Sequence, residues 1–166
     1  MNKYKNSEFH RIVKPLLDSC PFEETKKNKH HGITRYEHSM RVAYFSYIVT
    51  KLLRLNYKET TEAALLHDFF TDEVKEKNGI ARLRQHPSCA VENAKKYFEL
   101  SAKQEDIIKT HMFPVTFTPP KYLESVIVDI VDDVASIYER VSATTHEVSY
   151  TTMVIVTMIT NFIKFL

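Results

Sequence analysis

Along most of the chain apolar residues recur at the three- and four-residue spacing of a helix, and strand-like alternation is scarce. From Tyr36 to Leu55 the positions His38, Val42, Phe45, Val49 and Leu52 fall on one stripe, which places His38 on the face expected to be buried. A second helix is predicted over 58–70, capped by Thr60 or Thr61, with Ala64, Leu65 and His67 turned inward. After a charged connection over 71–78, a third helix is predicted over 87–100. Pro87 would occupy its first turn, where a missing amide costs nothing, and His86 its entrance. Gln104 to His111 reads as a short helix ended by Pro114, and Pro119-Pro120 marks an extended connection. The most continuous stripe lies over 121–141, through Leu123, Ile127, Ile130, Val134, Ile137 and Val141, with Asp129, Asp132 and Asp133 off it. The pattern predicts an all-α domain.

Residues 149–166 carry one charge, Lys164, among Val, Ile, Met, Phe and Thr. A bilayer span needs about 20 mainly apolar residues. The reading is therefore a helix that docks on the core or meets a second copy in a homodimer, with no membrane partner. With 166 residues the chain predicts one domain. In it, 1–34 is an N-terminal helical or connecting segment, 35–141 the core, and 142–166 the apolar C-terminal helix.

Composition narrows the function classes. Hydrophobic residues make up 43% of the chain and charged residues 27%, which is an ordinary globular balance. Gly32 and Gly79 are the only glycines. A dinucleotide fingerprint or a P-loop needs clustered glycines so that backbone amides can approach phosphate, so phosphate chemistry here must rely on side chains or metal. A net charge of +2 from 23 basic and 21 acidic residues gives no field for a nucleic-acid polymer. Cys20 and Cys89 are too few for a zinc ribbon or a disulfide framework, and the charged N-terminus lacks a signal peptide's apolar run. The expected compartment is the cytoplasm.

Four of the eight histidines occupy structurally distinctive places: His38 in mid-stripe, His67 at a helix end beside Asp68, His86 before a helix and His111 after one. His10, His30, His31 and His146 lie among polar neighbours and read as solvated. The dipeptide His67-Asp68 offers an imidazole nitrogen and a carboxylate oxygen to one cation. A buried histidine, a His-Asp pair about 30 residues on, and an aspartate in a later helix make a mixed nitrogen and oxygen ligand set that only helix packing can assemble.

Through Arg35-Tyr36-Glu37-His38-Ser39-Met40-Arg41-Val42, Ala63-Ala64-Leu65-Leu66-His67-Asp68 and Asp132-Asp133-Val134-Ala135-Ser136, the sequence resembles the HD superfamily of metal-dependent phosphohydrolases. The segments 82–100, 111–114 and 119–122 are similar to those of a group of small bacterial members. The resemblance implies that His38, His67, Asp68 and a late aspartate ligate one metal. The helical wheel does not choose between Asp132 and Asp133, whereas the family pattern matches Val131-Asp132-Asp133 and selects Asp132. In the family's dinuclear branch two further histidines are ligands, positions that His86 and His111 resemble, and the aspartate of the pair, here Asp68, bridges. The cofactor implied is one or two divalent ions among iron, manganese, zinc, cobalt, nickel and magnesium. The catalytic roles fall to His67 and Asp68, and the substrate to a nucleotide or another small phosphate ester.

Each of these residues also has a plain reading. His38 alone would be a hydrogen-bonded core residue, His86 a helix cap, and His111 a partner of a helix dipole. Arg35, Arg41, Lys109 and Lys121 are candidate phosphate contacts by proximity in sequence, with solvated charge the alternative. Cys89 reads as buried packing, and Phe69, Phe70 and nearby tyrosines as core or as a base-stacking surface. Many catalytic members follow His-Asp with an apolar residue, glycine and lysine, whereas this chain continues Phe69-Phe70-Thr71-Asp72. That departure keeps a second class in view: an HD-fold signalling or interaction module that binds a nucleotide and hydrolyses nothing.

Overall fold

N-terminal caps set where four of the helices begin. In the computed structural model, which describes residues 4, 6–19, 21–27, 29–30, 33–69 and 79–144, Asn6 Oδ1 accepts the backbone N–H groups of Glu8 and Phe9 at 3.0 Å and starts α1, Ser7–Ser19. A 3₁₀ turn, Phe22–Lys27, and a two-residue antiparallel pairing of β1 (Lys29–His30) with β2 (Ile33–Thr34) lead into α2, Arg35–Leu52. Thr34 and Glu37 close a reciprocal capping box on α2. Asn56 caps α3, Tyr57–Leu66, through the Glu59 N–H. After α4, Gly79–Lys95, a second capping box between Ser101 and Gln104 starts α5, Ala102–Thr110. The final described helix is α6, Leu123–Thr144. The all-α architecture expected from the pattern is present.

The helices pack around α2 and α3. α2 lies against α3 and α6, α3 against α5 and α1, and α5 against α4 and α6. α1 belongs to the same core, into which it sends Phe9, Ile12, Val13 and Leu16. Asp106 of α5 fixes the approach to α6, taking the Lys121 N–H at 2.9 Å and the Ser125 hydroxyl at 2.7 Å. Among the described residues no helix is long and apolar enough to cross a membrane. The residues 145–166, with most of the expected C-terminal helix and His146, lie outside the described ones, as do the side chains of His30 and His31. α6 itself runs to Thr144, past the boundary expected at 141.

Four local expectations are corrected. The buried face of α2 runs through His38, Ser39, Val42, Ala43, Ser46, Tyr47 and Thr50, while Phe45 and Val49 are half-buried and Leu52 is 65% exposed. Small side chains let α3 and α6 approach α2 closely, so the face is chosen by fit rather than by hydropathy. Thr60 and Thr61 do not cap α3 but lie inside it, their hydroxyls returned to the Asn56 and Tyr57 carbonyls at 2.7 and 2.5 Å. α4 begins at Gly79, with Pro87 and His86 in its interior. Its early turns are held by Arg84, which donates to the Val115 carbonyl at 3.0 Å and lies over the Phe117 ring. On α6 the expected stripe is largely outside: of its members only Ile127 is buried, Val134 is half-buried, and Leu123, Ile130, Ile137 and Val141 are exposed. The inward face instead carries Glu124, Ser125, Val128, Asp129, Asp132, Ala135 and Glu139.

Candidate metal centre

His67 and His111 occupy equivalent places, each as the C-cap residue of its helix, α3 and α5. The last turn of a helix has carbonyls without intrahelical partners. Each histidine uses one: His67 Nδ1 bonds the Ala64 carbonyl and His111 Nδ1 the Ile108 carbonyl, both at 2.7 Å. With the proton on Nδ1, Nε2 is left with its lone pair. His86, inside α4, has a hydrogen bond to the Arg82 backbone. His38, in the second turn of α2, has its Nδ1 2.9 Å from Glu139 Oε2.

The Nε2 atoms of all four rings converge on two carboxylates. His38 Nε2 is 2.8 Å and His67 Nε2 3.5 Å from Asp132 Oδ1. His86 Nε2 is 3.5 Å and His111 Nε2 3.9 Å from Asp68 Oδ1. The two halves meet, because potential ligand atoms of His38, His67 and Asp68, of His67, His111 and Asp132, and of Asp68, His86 and His111 lie within 4.8 Å of one another in each trio. All six residues are buried. The structure thus brings together the six expected from the sequence, and on this face of α6 Asp132 is buried while Asp133 is exposed.

The electrostatics separate the rings. Burial opposes charge on His38, but its hydrogen bonds to Asp132 and Glu139 outweigh that and raise its pKa to about 10. Burial also opposes charge on His67, and the Asp132 contact outweighs it, so its pKa is raised. His111 is pushed down to about 3 by burial and by His67 and His86, and His86 is lowered mainly by burial. Burial would raise Asp68 and Asp132, yet both are lowered: Asp68 by the surrounding histidines, Asp132 by its hydrogen bond with His38 and by the neighbouring His67 ring. The donors fit a cation. His67 Nε2 is buried with no hydrogen-bond partner among the described residues. His86 Nε2 and His111 Nε2 stand 2.8 Å apart on rings whose basicity is depressed, an approach that a cation between or beside them would reconcile.

The candidate phosphate contacts disperse. Arg35 is buried, with Nε 3.7 Å from Asp68 Oδ2. Arg41 pairs with Glu139 at the Nδ1 edge of His38, the edge opposite Asp132. Lys109 and Lys121 are exposed. Phe69 is a core residue, stacked on Phe22 at 5.6 Å and 18°, and Cys89 is half-buried, while Phe70 lies outside the described residues. Sequence reasoning missed Glu139 and Asp129. Glu139 was signalled by its position two turns beyond Asp132 on one helical face. Asp129 is buried, its Oδ1 without a hydrogen-bond partner among the described residues, and burial, then Asp133 and Asp132, raise it to about 7.

Histidines and aspartates from separate helices, buried at one helix junction, form a ligand set that could hold a divalent metal between packed helices. The family model for the HD domain matches residues 35–137, and the chain belongs to the HD family. No significant match to the chain was found among curated proteins or among solved structures.

Proposed function

We propose that the chain is a metal-dependent phosphohydrolase that cleaves a nucleotide or another small phosphate ester, with His38, His67, Asp68, His86, His111 and Asp132 as metal ligands. The observation that carries the reading is the convergence of four imidazole Nε2 atoms and two ionised carboxylates in a buried space, with the far nitrogens tied back by hydrogen bonds. A divalent cation held by these residues would lower the pKa of a bound water toward neutrality and polarise a phosphoryl oxygen. Asp68 belongs both to the trio with His38 and His67 and to the trio with His86 and His111, which supports it as the residue that would be shared if two ions bind. His86 and His111 stay neutral near pH 7 and offer lone pairs; Asp68 and Asp132 supply the negative charge a cation needs.

Arg35 is the cation we assign to the substrate phosphate. Of the four cations considered for phosphate contact, it is the one beside Asp68, and its fixed guanidinium charge complements phosphoryl oxygens. The glycine-poor backbone is consistent with this division, in which side chains rather than amides meet the phosphate.

The test is turnover by full-length protein of nucleoside mono-, di- and triphosphates and of bis(p-nitrophenyl) phosphate, with and without added manganese, iron, cobalt or zinc. Cation-dependent release of phosphate or nitrophenol that disappears in Asp68→Ala supports the reading. Cation binding with no turnover of any ester would instead favour the nucleotide-binding module, and no binding would remove the metal premise.

A further inference from the structure

We infer that Glu139 is a positioning residue of the metal centre: it sets the tautomer and the angle of His38 from outside the ligand set. The inference rests on the reading of His38 as a ligand. His67 and His111 have backbone anchors at helix ends, where carbonyls are free, and His86 has one on Arg82. His38 sits in the second turn of α2, where the nearby carbonyls belong to the helix's own ladder, and its Nδ1 meets an acceptor from another element. Glu139 provides it at 2.9 Å.

The geometry has the form of a clamp. Asp132 and Glu139 lie two turns apart on one face of α6, and they touch opposite nitrogens of the same ring, Nε2 at 2.8 Å and Nδ1 at 2.9 Å. Glu139 is 2% exposed, and a carboxylate buried that deeply is costly without partners. It has two: His38 on Oε2 and Arg41 on Oε1. Arg41 in turn lies over the Tyr138 ring and hydrogen-bonds Tyr4, so the carboxylate is held from behind. A carboxylate on the outer nitrogen of a ligand histidine keeps the proton on that nitrogen and makes the inner one a stronger donor.

The experiment measures cation affinity of the full chain by titration of metal-free protein with manganese and with cobalt, alongside thermal melting of the metal-free state. Glu139→Ala and Glu139→Gln are compared with wild type and with Glu124→Gln, a change on the same helix as Glu139 but away from the cluster, which weakens a half-buried ion pair with Lys103 of α5. Losing such an outer partner costs about 10- to 100-fold in metal affinity. The expected result is that loss in both Glu139 variants, with an altered cobalt absorption spectrum, while Glu124→Gln melts at lower temperature and keeps wild-type affinity. Should Glu139→Ala fail to fold, Glu139→Gln keeps the side-chain volume and carries the measurement. Glu139 variants with wild-type affinity and spectrum overturn the inference alone; a wild-type chain that binds neither cation overturns the metal reading and the inference with it.

Discussion

His86 Nε2 lies 2.8 Å from His111 Nε2, and burial and neighbouring imidazoles hold both rings in the neutral form near pH 7. One nitrogen comes from the middle of α4 and the other from the end of α5, so neither helix alone gains from the approach. A cation coordinated by both would stabilise this contact, which in its absence is an N–H···N hydrogen bond between neutral imidazoles.

Replacing either histidine with alanine is therefore expected to lower bound metal from about two ions per chain to one. His38, His67, Asp68 and Asp132 retain the other. The metal-free variants should lose no more than about 1–3 kcal/mol of stability, the ordinary range for a single substitution. Elemental analysis beside denaturant melts checks both; an unchanged ion count in both variants means that these rings hold no ion.

The two adjacent aspartates of α6 should separate cleanly. Asp132→Asn removes a carboxylate that contacts His38 and His67, and cation affinity is expected to fall at least ~10-fold. Asp133→Asn changes an exposed group and should bind as wild type does. Cation titration of the two variants makes the comparison.

Asp129 gives the metal-free protein a pH dependence. Its folded pKa, about 7, lies above the ordinary 3.8, so between those values the folded state holds a proton the unfolded state has released. Stability contributed by this group therefore falls as pH rises from about 4 to 7 and stays low above 7. Asp129→Asn escapes that loss and is expected to be more stable than wild type at pH 8 by ~1 kcal/mol, the scale for one orphaned buried polar group. Urea melts in chelator at pH 4 and pH 8 should show the gap only at the higher pH. A gap of equal size at both would assign the effect to packing.

Asn56 separates fold from site. Asn56→Ala removes the cap of α3 and should cost about 1 kcal/mol while bound metal is unchanged. Thermal melting with metal analysis on the same samples tests it.

The six clustered residues were legible through the resemblance to the HD family, whose motifs the His67-Asp68 pair and Asp132 match and which implied His86 and His111 as well; the structure brings all six together. What failed was the direction of α6. Hydropathy assigns Leu123, Ile130, Ile137 and Val141 to the interior, yet the interior face is polar, its charges offset by pairing of Glu124 with Lys103 and of Glu139 with Arg41 and His38. A periodicity argument counts apolar side chains and has no term for a carboxylate whose partner comes from another helix. The same blindness hid Glu139, whose role depends on α2 lying against α6. The start of α4 was missed for a related reason: Pro87 marks a start by local rules, while the earlier turns are retained by the distant contacts of Arg84.

The account turns on whether the cluster holds metal. Elemental analysis of full-length wild type, His67→Ala and Asp68→Ala, each purified without chelator from metal-supplemented cultures, measures this directly. The prediction is one to two divalent transition-metal ions per wild-type chain and a near-complete loss in both variants. Wild-type protein with no metal above trace, or variants that keep the full complement, would contradict it.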